Sequence, residues 1–468
     1  MILDRRLLSA PILTYSLFGL AIIDTCTIWL VSPGGWVSRL APMGSSVYWW
    51  IIQGSLIVWG VLIICWAFRR ANQHLPIAML LALLSLHCLV NRPGGWYAMA
   101  VPNPSFDTKN VGYYDAPLYW RSALDLQAGR NPFIANWYPP TFLEAFSLLT
   151  RTSSEQAFAI WWLVVWSSYL WSALLTYEIL RRWLFGAVSA TLLTTLLWAH
   201  NWPATLTVSE LQVNLIMLSF ILVGYLGLPR NTGVSALGVA LATLVKMSPL
   251  TIAGFVLLTG RLRWTAMYLI CLILPIMFSW WTGGGKLWRQ FAASLAAKTW
   301  VSDSLDTLFA RILDHKTAMV VVILCKLALL VWAAWSLKAF HRSRQHHTES
   351  GDQLVADACF AIACCCMVML SPVIWTYHRV WLVPGLMFAW SYCSCRLFPH
   401  LLVATALAIW LPPIPGVGIV WVFASGLTLL WCIHPQRLAV TEGERAFPYL
   451  LNLFKSRFIA ETDGASAT

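Results

Sequence analysis

The chain has 468 residues, of which 59% are hydrophobic and only 11% charged, with a formal net charge of +12. A water-soluble domain needs a polar face on its outer helices, so this composition excludes a soluble enzyme or binding module and points to a polytopic, all-α membrane protein. Lys and Arg come as short clusters between apolar runs and not as one basic face, so they read as topology signals and contacts for anionic membrane lipids, and no nucleic-acid partner is expected.

Spans are placed by apolar length and oriented by Lys and Arg. Met1 to Arg6 ahead of an apolar run resembles a signal peptide, but the run continues to about residue 31 without a small-residue cleavage site, so a retained helix over 11–31 is expected. Further spans over 47–66 and 75–90 put Arg5, Arg6, Arg69 and Arg70 inside and residue 91 outside. The long loop 91–156 is then external; it is rich in ionisable residues, carries Tyr138-Pro139-Pro140, and is expected to hold a short amphipathic helix over 117–128. Spans follow over 157–179, ending at Arg181 and Arg182 inside, then 186–198 and 213–228, with an outer loop from His200 to Gln212 between the last two.

Residues 233–260 read as two short helices split at Lys246-Met247-Ser248-Pro249. Pro249 lacks an N–H and disfavours helix at Ser248, and a Lys in mid-bilayer is costly. Spans over 266–281 and 318–337 flank a second outer loop, 282–317, whose charged and apolar residues at helical spacing suggest amphipathic surface helices; Lys338, Arg342 and Arg344 then fall inside. Spans over 355–370, 380–395, 401–410 and 416–432, with an outer loop at 371–379, complete one transmembrane domain, 1–433, of about fourteen (12 to 14) helices. Residues 434–468 form an inner tail, with 447–458 suited to lie on the membrane. The 29 Trp suit interfacial belts, and the 12 Cys, Cys364 to Cys366 among them, lie in or beside apolar runs as buried thiols, without a disulfide framework or zinc site.

On this topology Asp115, the His200 loop, Glu210, Gln212, Asn214, Lys246, His378 and Arg379 all fall at outer helix ends or in outer loops, although only Arg379 entered the orientation. That suggests one external, membrane-adjacent site with a carboxylate to take a proton, cations to hold an anion, and aromatic walls. Each residue has a plainer reading as well: a helix N-cap for Asp115, snorkelling for Lys246, an interfacial anchor for Arg379, a carbonyl-bonded ring for His378, a helix-end cap for Gln212 and Asn214, and a helix contact for Asp24. No Gly-rich phosphate loop, HExxH or GxSxG occurs, so a nucleotide-sugar donor is not expected. The non-enzyme alternative is a lipid or lipid-sugar transporter, which would hold its ionisable groups near the bilayer midplane.

The ordered series Asp115-x3-Tyr119, Gly129, Tyr138-Pro139-Pro140, Gln212-Val213-Asn214, Lys246-x2-Pro249 and Ser371-Pro372-x2-Trp375-x2-His378-x2-Trp381 resembles glycosyltransferase family 87, integral-membrane GT-C enzymes that use polyprenyl-phosphate sugars. The resemblance runs from about Tyr113 to Trp381. It implies a GT-C-type bundle and an inverting transfer in which Asp115 deprotonates an acceptor hydroxyl while His378, helped by Lys246 and Arg379, holds the donor phosphate. Tyr119, Tyr138, Gln212, Asn214 and Trp375 would contact substrate, and neither metal nor cofactor is implied. The implied partners are a polyprenyl-phosphate sugar donor, mannose first with decaprenyl-phosphate-arabinose as rival, and a glycolipid or glycan acceptor. The implied location is the cytoplasmic membrane of a bacterium, with the active site outside and both termini inside. The chain departs from the family in two places: Leu211 stands where glycine is expected before Gln212, and about ninety residues precede the first long loop.

Overall fold

The computed structural model describes residue 84 and residues 115–133, 138–152, 154–183, 187–198, 201–228, 232–297, 304–344, 350–371, 375–411, 418–438 and 445–447. The three spans expected before residue 91, Asp24, most of the first loop up to residue 114, His200 and the chain beyond 447 lie outside these. Among the described residues the secondary structure is helical, apart from isolated bridges between Cys393 and Leu438 and between Ser394 and Arg445.

Two short helices, α1 (Asp115–Gln127) and α2 (Pro140–Ser147), pack on each other ahead of the long α3 (Ser154–Trp183) and of α4 (Ala187–Trp198). Then come α5 (Trp202–Ser209), α6 (Asn214–Gly227), α7 (Thr232–Val245) and α8 (Leu250–Leu258). The expected break at Lys246 to Pro249 is present. Next are α9 (Leu262–Ala297), α10 (Leu305–Ile312), α11 (His315–Arg344) and α12 (Ser350–Leu370). A 3-10 segment, Thr376–Leu382, leads into α13 (Val383–Tyr392); α14 (Phe398–Thr405) runs on as a π-helical turn, Ala406–Trp410, and α15 (Gly418–Cys432) closes the series.

Among the described residues, three helices are long and apolar enough to cross a membrane: Leu262–Gly283, Lys316–Phe340 and Gln353–Leu370. Their environments differ. In α12, 83% of the apolar window is buried and Cys364, Cys365 and Cys366 are fully enclosed, so this helix is the axis of the bundle. In α9 and α11 the shares are 22% and 17%, and Leu274, Met277, Phe278, Leu324, Leu327 and Val331 stand exposed. Apolar helix faces of that extent require hydrocarbon as solvent, so the protein is embedded in a membrane. Shorter apolar helices, Ser189–Trp198, Asn214–Gly227, Thr232–Val245, Cys395–Trp410 and Val420–Cys432, pack beside them.

Helices α6 and α7 form a close pair whose contact depends on small residues. A Cβ on Gly238 would sit 2.7 Å from the Phe220 carbonyl oxygen and 2.8 Å from the Gly224 nitrogen. In hydrocarbon, where burial of apolar surface drives little association, such backbone approach supplies the packing.

The stretch expected as a second loop, 282–317, is largely helical. Residues 282–297 continue α9 to 36 residues, about 54 Å at 1.5 Å per residue, well beyond a hydrocarbon core of about 30 Å. The glycine run after Thr282 reads as a break by propensity, but a Cβ on Gly283 would meet the Glu144 carboxyl oxygen of α2 at 3.0 Å. Glycine there permits close packing and does not end the helix. The extension grips the first loop: Ser294 Oγ donates to the Phe133 carbonyl at 2.9 Å, and the Phe133 and Phe291 ring centroids are 5.4 Å apart. Residues 434–438 and 445–447, expected in the tail, pack back on the bundle through the two bridges and a stack of His434 on Trp335 at 4.9 Å.

Candidate functional site

Asp115 opens α1, and Tyr119 lies one turn on, on the same face. Tyr119 OH donates to Asp115 Oδ2 at 3.0 Å, Tyr138 OH donates to the same oxygen at 3.1 Å, and the two hydroxyls are 2.9 Å apart. Two hydroxyl hydrogens thus serve three contacts, all ending on one carboxylate oxygen. The Tyr119 ring is held edge-on by Tyr138, Phe142 and Phe146, with centroids 4.9, 5.2 and 5.6 Å away, which leaves its hydroxyl little freedom.

Tyr138 is placed by the turn that follows. Pro139 caps α2 and Pro140 occupies its first turn, where a missing N–H is harmless. Thr141 Oγ1 then donates to the Leu244 carbonyl at 3.0 Å, anchoring α2 against the last turn of α7. The anchor brings the first loop to Lys246, whose Nζ lies 5.6 Å above the Tyr138 ring and 5.0 Å above the Trp381 ring.

Across the site, Trp375 begins the 3-10 segment, and its N–H donates to His378 Nδ1 at 2.8 Å. A neutral imidazole accepting at Nδ1 carries its hydrogen on Nε2. That nitrogen is 2.5 Å from Lys246 Nζ, so in this geometry the ring donates and the lysine amine accepts. Burial pushes Lys246 down to about 7, against the pull of Asp115, which favours the ammonium; burial, and then Lys246, holds His378 well below its ordinary range. Asp115 is raised by burial, with Lys246 and the two tyrosine hydroxyls opposing the shift.

The 3-10 segment packs against α5, α6 and α12. Between α5 and α6 the chain turns at Leu211, with φ +55°; Gln212 N–H returns to the Thr207 carbonyl at 3.0 Å and Leu211 N–H to that of Val208 at 3.3 Å. This is the left-handed helix stop that glycine normally makes, as Gly129 does at the end of α1 with φ +69°. The departure noted at Leu211 therefore keeps the expected backbone. The turn sets a ladder in which Gln212 Nε2 donates to Glu210 Oε2 at 3.4 Å and Asn214 Nδ2 donates to Gln212 Oε1 at 3.2 Å.

Asp115, Glu210, Lys246, Trp375 and Tyr377 are half-buried, whereas Tyr119, Gln212, Asn214 and His378 are buried behind them. The result is one half-buried cluster, with an acidic side at Asp115 and a basic side at Lys246 and His378. Arg379 is directed elsewhere: its guanidinium donates to the Leu407 and Leu411 carbonyls at the π-helical turn, at 2.5 and 3.2 Å, and lies over the Trp421 ring. Glu210 and Tyr377 join the cluster although no motif pointed to them as ligands; Glu210 was visible only as an outer-loop acid.

The model of glycosyltransferase family 87 matches residues 136–311. Over that stretch, less than half of the chain, the protein is similar to glycosyltransferases of family 87. The matched stretch contains Tyr138, the Gln212 turn and Lys246, and it ends short of Asp115 on one side and His378 on the other. The resemblance read from the motifs is borne out over that stretch. No curated relative matches the chain.

Proposed function

We propose that this protein acts as a family 87 enzyme and transfers a sugar, mannose before arabinofuranose, from a polyprenyl-phosphate donor to a hydroxyl of a glycolipid or glycan acceptor, with inversion. The observation that carries the reading is the pairing of a hydroxyl-braced carboxylate, Asp115, with a lysine–histidine pair across one half-buried cluster. Asp115 takes the proton from the acceptor O–H, that oxygen bonds to the anomeric carbon, and the bond from that carbon to the phosphate oxygen breaks with its electron pair leaving on phosphate. Charge grows on the leaving group, where Lys246 and the His378 N–H meet it.

In this reading Tyr119 and Tyr138 hold the base, while Gln212, Asn214 and Trp375 border the sugars. Arg379 adds its charge from behind the 3-10 segment. The site faces outward from the cytoplasmic membrane, within a transmembrane domain over 1–433 and with an inner segment over 434–468. Support for that orientation comes from α12. Its site end is Leu370, and the Arg182 and Arg445 side chains gather around Asp357 and Tyr392, about 20 Å further along the helix. Clustered arginines mark a cytoplasmic end.

The test is to supply the purified protein in lipid with labelled polyprenyl-phosphate-mannose and decaprenyl-phosphate-arabinose, and to identify sugar and linkage in the product. A glycosidic product from one of them, with inverted anomeric configuration, is expected. Turnover of neither, alongside turnover of a nucleotide sugar, would overturn the donor class.

A further inference from the structure

Glu210 is the last residue before the Leu211 turn, so the helix stop fixes its backbone. Its carboxyl takes the Gln212 amide, and Glu210 shares electrostatic contact with Asp115, Tyr138 and Tyr377. At the end of the ladder, fully buried Asn214 leaves its Oδ1 without a partner. Buried carbonyl oxygens normally find a donor, so the ladder is one donor short.

Burial and the charge of Asp115 push the Glu210 carboxyl up to about 8, which keeps it neutral at neutral pH. A neutral carboxyl has one donor and spare acceptor capacity, the complement of an alcohol, and it does not repel a donor phosphate nearby. Tyr138 and Tyr377 are electrostatic neighbours of both Glu210 and Asp115, which puts Glu210 beside the carboxylate that would meet the attacking hydroxyl.

We propose that Glu210, with Gln212 and Tyr377, forms a subsite that holds a second hydroxyl of a polyhydroxylated acceptor beside the one that Asp115 activates. This rests on the transferase reading above. Glu210 is a specificity residue in this account and takes no proton from the reacting hydroxyl.

The test uses the full chain in lipid nanodiscs, polyprenyl-phosphate-mannose or decaprenyl-phosphate-arabinose as donor, and octyl α-mannoside with its monodeoxy analogues as acceptors. Glu210→Ala is expected to raise the acceptor KM about ten- to hundredfold while donor KM and kcat stay within about threefold, since uniform binding is lost. Glu210→Gln, which keeps a donor and an acceptor, should recover most of that affinity. One deoxy acceptor should lose little further in Glu210→Ala, because its missing hydroxyl is the partner already removed. A rise in donor KM instead, an unchanged acceptor KM, or a Gln variant as impaired as the Ala variant overturns the proposal. If wild type forms no glycosidic product with either donor, the transferase reading and this subsite fall together. Full activity in Asp115→Asn would remove the base assignment alone and leave the acceptor comparison standing.

Discussion

Replacing Tyr119 or Tyr138 by Phe removes a hydroxyl while leaving the ring that packs the aromatic nest. The two hydroxyls supply two hydrogens, and Asp115 Oδ2 accepts from both at 3.0 and 3.1 Å. A hydrogen bond to an ionised group contributes about 1.5–3 kcal/mol, and about 1.4 kcal/mol is tenfold in rate, so each variant should lose roughly ten- to hundredfold of kcat/KM where Asp115 must be deprotonated to act. The sign is set by ionisation. Fewer donors favour the protonated acid, so the loss belongs to the acid limb and shrinks toward the plateau, where Asp115 is ionised in every variant. The double variant should lose more than either single one, with some shortfall from additivity because the hydroxyls also bond each other at 2.9 Å. The assay is kcat/KM for sugar transfer across about pH 5 to 9. A loss of the same size at every pH, or no loss on the acid side, would refute the reasoning that these hydroxyls act through the carboxylate.

Lys246→Gln should raise donor KM far more than acceptor KM. In wild type, donor affinity should fall as pH rises through about 7, where the ammonium is lost, and the variant's donor KM should show a flatter pH dependence. Arg379→Lys keeps a charge but loses the fork that bonds Leu407 and Leu411, so thermal unfolding in detergent should show a drop in midpoint larger than any change in donor KM. Gly238→Ala forces a methyl to within 2.7 Å of the Phe220 carbonyl and should destabilise the protein strongly, whereas Gly129→Ala, with open space around it, should cost only about 1 kcal/mol for its left-handed φ. Thermal melts of the two variants side by side check this contrast.

Helix positions were legible because a membrane helix advertises itself by apolar length: the predicted spans over 186–198, 213–228 and 416–432 differ from α4, α6 and α15 by two residues or fewer at either end. The break at Lys246 was legible for local reasons, Pro249 and a charge that hydrocarbon rejects. The helical continuation through Gly283 was not, because close contact with Glu144 outweighs glycine's poor helix propensity and that contact is not local. The same holds within the site. Asp115 with Tyr119 follows from helical spacing, but Lys246 meeting His378 across 132 residues needs the fold, and the turning away of Arg379 depends on carbonyls freed by a π-helical turn that nothing in the local sequence marks. Glu210 lay beside a noted anomaly, Leu211, whose positive φ turned out to be the means of its placement.

The central claim is that Asp115 is the base of a lipid-phosphate sugar transfer. Its most direct test is single-turnover transfer from the labelled polyprenyl-phosphate donor that wild type accepts, comparing wild type with Asp115→Asn, with donor binding measured in parallel. The account predicts a loss of at least about a hundredfold in the transfer rate with donor affinity within a few-fold of wild type. Transfer by Asp115→Asn at the wild-type rate would contradict it.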